Sequence, residues 1–326
     1  MAKQAVLLLA HGTPETVEQI PEYLRNVVSG RPLPQQLIEE IQHRYSLIGR
    51  SPLTEITIEQ ARLVEQELAF GGLRVKVYVG MRNWRPYIPD VVRRMRDDGV
   101  EEAAVICLAP QNSRTSVGLY RRAVQAEAGS LRIDFTEGWA QHPLLADAFA
   151  ERLRAAMAKL EAETGEPVPV LFTAHSVPLR TVEPAANDGA AGQPRLWPGQ
   201  GADPYAVEAR HTAELVAGRV SGIPRWWFAF QSQGASGGPW IGPSVEETLD
   251  EIAAAGVKTL LLQPIGFLCD HVEILFDVDI LFREYASKLG VRLERPESLN
   301  NSLTLAKAVA DLARKGIARL DAPVIT

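Results

Sequence analysis

Cysteine is scarce in this chain of 326 residues: there are two, Cys107 and Cys269, far apart and in no Cys-x-x-Cys pair. A structural zinc or iron–sulfur site built on cysteines is therefore not supported, and neither is a disulfide scaffold. Positive charge is not in excess either. With 34 Lys and Arg against 40 Asp and Glu the net charge is −6, and no basic stripe or tail offers a nucleic-acid surface. No apolar run approaches the ~20 residues of a membrane span. The run at 5–10 is too short for a secretory h-region, so the default expectation is a soluble, cytoplasmic protein. Also missing are a Gly-x-Gly-x-x-Gly after the first strand, a P-loop and a Gly-x-Ser-x-Gly elbow. Their absence argues against dinucleotide binding and α/β-hydrolase chemistry.

What the chain does have is alternation. Short apolar runs at 5–10, 75–79, 103–108, 131–135, 168–173, 226–230, 259–263 and 291–293 read as strands. Most are unbroken rather than alternating, as expected of strands buried on both faces of a parallel sheet. Helical spacing falls between them, at 58–69, 86–95, 143–160, 206–220 and 245–255. This order predicts an α/β doubly wound fold. Ser51-Pro52 and Asp203-Pro204 each put a capping side chain before a proline, and 184–201, rich in Ala, Gly, Pro and Gln, reads as a surface loop.

The chain also echoes itself. Ala10-His11-Gly12-Thr13-Pro14 closes the first strand, and Ala174-His175-Ser176-Val177-Pro178 closes a later one. Val79-Gly80-Met81 matches Phe230-Gln231-Ser232, and Ala109-Pro110-Gln111 matches Gln263-Pro264-Ile265. Three matches at similar spacing predict two similar Rossmann-like halves, 1–165 and 166–326, each a parallel sheet flanked by helices. Ligands of open α/β sheets bind beyond the carboxyl ends of strands, so the expected cleft lies between the halves and carries His11 and His175.

Three groups of residues could do chemistry there. His175, at a strand end, can bind metal or move protons near neutral pH, or merely hydrogen-bond a loop. Asp270, Glu273 and Asp277 are spaced to share one face at the start of a helix, with His271 just off that line. The bland reading is a helix with acids at its positive end. The alternative is a set of partly desolvated acids among Phe267, Leu268, Ile274, Leu275 and Phe276, suited to proton transfer or to capturing Fe²⁺. Arg44-Tyr45, Arg82 with Trp84, and Tyr120 could grip a flat anionic ligand, because arginine pairs carboxylates and aromatic rings stack.

Further short segments accompany these: Ile48-Gly49 and Ser51-Pro52-Leu53, Leu108-Ala109-Pro110, Asp203-Pro204-Tyr205, Gln231-Ser232, Pro239-Trp240-Ile241-Gly242-Pro243, Asp270-His271-Val272-Glu273 and Glu297-Ser298-Leu299-Asn300. In this order, with the two Ala-His segments, the sequence resembles the ferrochelatase family over nearly its whole length. The resemblance implies two chelatase-type α/β domains and insertion of Fe²⁺ into protoporphyrin IX or coproporphyrin III. It implies His175 and Glu273 as the catalytic and metal-binding pair, with Asp270 and His271 supporting them. Asp277 continues an acidic track. His11, Arg44, Tyr45, Ser51 and Tyr120 fall at porphyrin-contacting positions. Leu281 departs from the pattern, because relatives carry a further acid there; the track is shorter here or Asp279 substitutes. His11 departs too, where coproporphyrin-using relatives often have tyrosine. Iron and porphyrin are expected as substrates, with no tightly bound cofactor, no [2Fe–2S] cluster and no nucleic-acid partner. A monomer or homodimer is expected, and a lip at 20–33 could touch a bilayer. The alternatives are a cobalt or nickel chelatase for a related tetrapyrrole and a non-catalytic porphyrin or haem carrier.

Overall fold

β1 (Gln4–Ala10) is an unbroken apolar run, and Ala5 to Leu9 are completely buried. The computed structural model describes residues 3–182, 202–233 and 238–322; the expected loop at 184–201 lies outside them. β1 pairs in parallel with β2 (Lys76–Met81) and β3 (Glu102–Cys107), and β4 (Arg132–Thr136) completes the order β2-β1-β3-β4. β5 (Val170–His175) lies between β6 (Trp226–Gln231) and β7 (Thr259–Pro264), with β8 (Arg292–Glu294) beyond, in the order β6-β5-β7-β8. The two sheets are therefore topological copies, and every pairing is parallel.

Helices explain the unbroken runs. α1 (Ile20–Val27), α2 (Gln35–Ile48) and α3 (Leu53–Phe70) fill the connection from β1 to β2. α4 (Ile88–Asp97) and α5 (Val117–Glu127) cover one face of the first sheet, packing Val92, Met95 and Val124 on Leu7, Leu9 and Val105. The alternate side chains, Val6 and Leu8, point the other way into a central layer. That layer holds α6 (Pro143–Thr164) and, after the short α7 (Leu179–Val182), α8 (Tyr205–Ala217). Phe149 and Leu153 of α6 share it with Phe172 and Phe228 of the second sheet. The outer face of that sheet is covered by α9 (Val245–Ala254), a π-helix (Glu273–Phe282) and α10 (Arg283–Lys288). α11 (Leu303–Asp321), capped by Ser302 accepting from Leu305 N at 3.2 Å, returns to pack on α3, α6 and β3.

Two expectations need correction. The echo is real in topology but displaced in register. Ala10 pairs with Met81 and Ala174 with Phe230, so Met81 corresponds to Phe230 rather than Ser232. Met81 N donates to Pro86 O at 2.7 Å and Phe230 N to Pro243 O at 2.8 Å, which is the same bond in both halves. The two halves correspond by their strand pairing and not by the local likeness of those three side chains. Ser51 does not cap α3: its hydroxyl is buried without a hydrogen bond, whereas Asp203 does accept from Tyr205 N, at 3.0 Å. The lip at 20–33 turns its apolar side inward, with Ile20, Tyr23 and Leu24 packed on Tyr45 and Trp84.

Gly316 shows how closely α11 docks. A Cβ there would meet Ala104 Cβ at 2.8 Å and Asp134 Oδ2 at 2.9 Å. Gly316→Val is expected to destabilise the fold by ~1–3 kcal/mol through overpacking. The check is the urea midpoint, which stays at the wild-type value if α11 does not rest on β3.

Candidate active site in the cleft between the sheets

All strands are parallel, so each sheet presents its carboxyl ends along one edge. A cavity of about 450 Å³ lies where the two edges meet. It is lined by Ala10 and His11 at the end of β1, Arg82 after β2, Leu108 to Gln111 (in part) after β3, His175 to Pro178 at β5, and Gly266 to Glu273 (in part) after β7.

His175 is the last residue of β5, and its carbonyl accepts from Tyr205 Oη at 2.8 Å. Its Nδ1 stands 3.0 Å from Glu273 Oε2, an ion-pair approach without the alignment of a hydrogen bond. Glu273 opens the π-helix, and the same oxygen is 3.9 Å from His271 Nε2. His271 is held by Nδ1 donating to Cys269 O at 3.1 Å and by Phe267, whose ring centroid is 4.5 Å away. The His175 and Glu273 side chains keep 33% and 31% exposure, so both still face the cavity. Burial pulls the His175 pKa down, but the charges of Glu273 and Asp277 pull it up by more, leaving it above the ordinary imidazole value. Burial pushes the other way on Glu273, and His175 and His271 override it, so the carboxyl lies well below the usual range.

On the opposite wall the histidine is neutral. His11 Nε2 is 3.0 Å from both Tyr23 Oη and Asn83 Nδ2. Burial, then the charge of Arg82, pushes the His11 pKa down to about 3. Gly12, at φ +80°, lets the chain turn where a Cβ would meet Met81 Cβ and Trp84 N at 2.9 Å. Arg82 lies over the Tyr120 ring at 5.4 Å and donates to Thr115 O at 3.2 Å.

His11, Arg82, Tyr120, His175, His271 and Glu273 thus meet at one cavity, whereas Arg44, Tyr45, Ser51, Trp84, Asp270 and Asp277 do not line it. Arg44 points into a second pocket, of about 440 Å³, pairing Asp277 at 3.3 Å and Glu40 and lying over Phe276 at 5.1 Å. Tyr45 and Ser51 are buried, at 2% and 6%, and do not line the cavity. Trp84 packs on Tyr23 instead of facing a ligand. The three carboxylates do not share a helix face. Asp270 precedes the π-helix and is held by Ser298 at 2.7 Å, Asn300 at 2.8 Å and Arg295 at 3.1 Å. Asp279 is occupied by the Arg295 fork at 2.7 and 2.8 Å. Asp277 looks away from the cavity into the second pocket, beside Leu281, and accepts from Ser232, a residue at φ +62°. Burial, then the charge of Glu273, pushes Asp277 up to about 6. Sequence patterns give no sign of the parts played by Tyr23, Asn83 and the Phe267 ring. No motif marks them, since each acts on a histidine far away in sequence or across a turn.

Two parallel sheets with a His–Glu pair at their shared edge define a chelatase-type α/β protein. The sirohydrochlorin chelatase SirB of Bacillus subtilis subspecies spizizenii, in complex with cobalt, superposes with TM-score 0.55 over 97% of this chain and 96% of that one, at 11% identity. SirB of Bacillus subtilis with Fe³⁺ gives 0.56 over 98% and 97%, at 12% identity, a likeness of fold. The sequence itself matches the family described as Ferrochelatase over residues 3–317. It is 59% identical to the ferrochelatase of Acidobacterium capsulatum over 98% of this chain and 96% of that one. To the coproporphyrin III ferrochelatase of Mycolicibacterium vanbaalenii it is 34% identical, over 96% and 89%. The chain belongs to the ferrochelatase family, lyases that insert metal into porphyrin in haem synthesis.

The electrostatics can be tested without metal. Glu273 raises the His175 pKa, so the imidazole keeps its proton beyond the ordinary ~6.5. In Glu273→Gln burial dominates, and the value is expected to fall below that of a free histidine. NMR titration of metal-free protein reads both; an unchanged His175 pKa in the variant would refute the pairing.

Proposed function

We propose that the cleft inserts Fe²⁺ into a porphyrin, protoporphyrin IX or coproporphyrin III, with His175 and Glu273 as the catalytic pair. The observation that carries this is the 3.0 Å approach of His175 Nδ1 to Glu273 Oε2 in an apolar cavity, across from the neutral His11. Iron must leave its water, two pyrrole protons must leave the ring, and charge balances when Fe²⁺ replaces them. The His175–Glu273 pair suits this exchange, because either the imidazole proton or a cation can neutralise the carboxylate. Among the described residues no group of three or more His, Cys, Asp or Glu is arranged to hold a metal ion. A two-ligand contact leaves coordination positions open, which favours handing iron on over keeping it.

His175 and Glu273 would share proton acceptance and iron delivery between them. His271 and, through Ser298, Asn300 and Arg295, Asp270 would fix the wall that carries Glu273. Asp277, four residues on and near pKa 6, would pass protons towards the second pocket. Tyr120 and His11 would contact the ring directly. Arg44, Tyr45 and Ser51 would act from behind the wall. No resident cofactor and no [2Fe–2S] cluster enter this reading. Division into 1–165 and 166–326 belongs to it, supported by the repeated strand order, with α11 crossing back to the first sheet. So does a cytoplasmic monomer or homodimer; among the described residues no helix is long and apolar enough to cross a membrane.

Purified protein mixed anaerobically with Fe²⁺ and either porphyrin should convert the free-base visible spectrum to the metallated one. The faster porphyrin names the substrate. His175→Ala is expected to lower turnover by at least ~10²-fold, the scale of a lost acid–base group, with its circular dichroism unchanged. Porphyrin binding without metallation, with Zn²⁺ and Co²⁺ also tried, would instead make the protein a carrier.

A further inference from the structure

The segment between β3 and α5 has no regular structure, yet it forms part of the cavity wall through Gln111, Ser113 and Thr115. Its backbone donors need acceptors, since a buried N–H left unpaired is costly. For two of them, Asn112 N and Arg114 N, the acceptors come from the other half of the chain. Asn112 N donates to Glu208 Oε2 at 2.6 Å, and Arg114 N donates to Asp203 Oδ2 at 2.7 Å. Gln111 Nε2 donates to Thr212 Oγ1 and to Ile265 O, each at 3.2 Å. Asp203, Glu208 and Thr212 all belong to α8 or to the turn that leads into it. The first residue of α8 is Tyr205, whose hydroxyl donates to the carbonyl of His175 at 2.8 Å. One helix therefore holds both walls: the segment leading to Tyr120, and the strand end that presents His175.

We infer that α8 is the spacer that sets the width of the cleft, with Asp203 and Glu208 as positioning residues for the 111–116 wall and Tyr205 as the positioning residue for His175. Carboxylate-to-amide bonds are about twice as strong as neutral ones, which suits a fixed gap. The gap matters because a flat ring is bent by the walls that grip it, and displacements of about 1 Å can cost ~10²-fold in rate. The inference rests on the cleft being the porphyrin site, so its test needs one readout that is independent of activity.

That readout is amide hydrogen exchange at 111–116 in ligand-free protein. Glu208→Ala is expected to lose protection there, whereas Glu208→Gln, which still offers an oxygen to Asn112 N, should keep it. In steady-state assays Glu208→Ala should raise the porphyrin KM about tenfold, the scale of one lost charge-assisted bond, and leave the Fe²⁺ KM alone. Tyr205→Phe should lower kcat with the porphyrin KM unchanged. Should Glu208→Ala fail to fold, Asp203→Ala, which removes the acceptor of Arg114 N, and Tyr205→Phe carry the same KM-against-kcat split. Unchanged protection in Glu208→Ala, or an equal fall of kcat at constant KM in every variant, would overturn the spacer. Altered protection in a protein that metallates no porphyrin would leave the spacer standing and remove the porphyrin reading.

Discussion

A carboxylate held in an apolar wall is the constraint around which this cleft is arranged. Removing Glu273 from water costs several kcal/mol, and only a close cation or proton donor offsets that. His175 supplies it at 3.0 Å and His271 assists at 3.9 Å. For that, the end of β5 and the start of the π-helix must be held in fixed relation. The Tyr205 bond to the His175 carbonyl and the Cys269 bond to His271 do so. On the proposed reading, a carboxylate that needs a positive partner would accept iron or a proton with little rearrangement, and its partner imidazole could then release its own proton.

The π-helix turns this local demand into a partition. Glu273 lines the main cavity while Asp277 and Leu281 line the second pocket. A widened helix is uncommon and tends to occur where function requires it. Here it carries two acids of opposite electrostatic character through one wall. Glu273 is held ionised by imidazoles, and Asp277 is raised by burial and by Glu273 itself. Arg44 and Ser232 hold Asp277 from the far side, which explains why an arginine expected to grip the porphyrin sits behind the wall.

Much of this architecture was legible in the sequence. Unbroken apolar runs such as Leu7 to Leu9 mean burial on both faces, and each such run is a strand of a parallel sheet. The two Ala-His segments marked the two edges that meet, so His11 and His175 could be placed in one cleft before any geometry was known. Helix type was not legible. Asp270, Glu273 and Asp277 fit an α-helical face by spacing, yet the chain becomes helical only at Val272 and then widens, which leaves Asp270 with Ser298 and Asn300. Nor could spacing reveal which side of a wall a residue faces: Arg44 and Tyr45 are neighbours, one paired with Asp277 and the other packed under Trp84. The docking of α11 on the first sheet depends on Gly316 meeting Ala104, a tertiary fact that no sequence pattern carries.

The repeated strand order makes the difference between the walls informative. His11 and His175 occupy like positions beside the central strands of like sheets. Their chemistry differs because the segments leaving the neighbouring strands differ. After β3 the chain offers Leu108, Ala109 and Gln111, none of them charged, and His11 finds only Tyr23 and Asn83. After β7 it offers His271 and Glu273, and His175 gains a carboxylate. Like scaffolds thus yield one histidine that stays neutral across the physiological range and one that is paired with a carboxylate. A planar ligand clasped between them would meet the His175–Glu273 pair on one face and the neutral His11, with Arg82 beside Tyr120, on the other. On the proposed reading, metal and protons are therefore exchanged at the His175–Glu273 face, while the His11 face serves as the surface against which the ring is pressed.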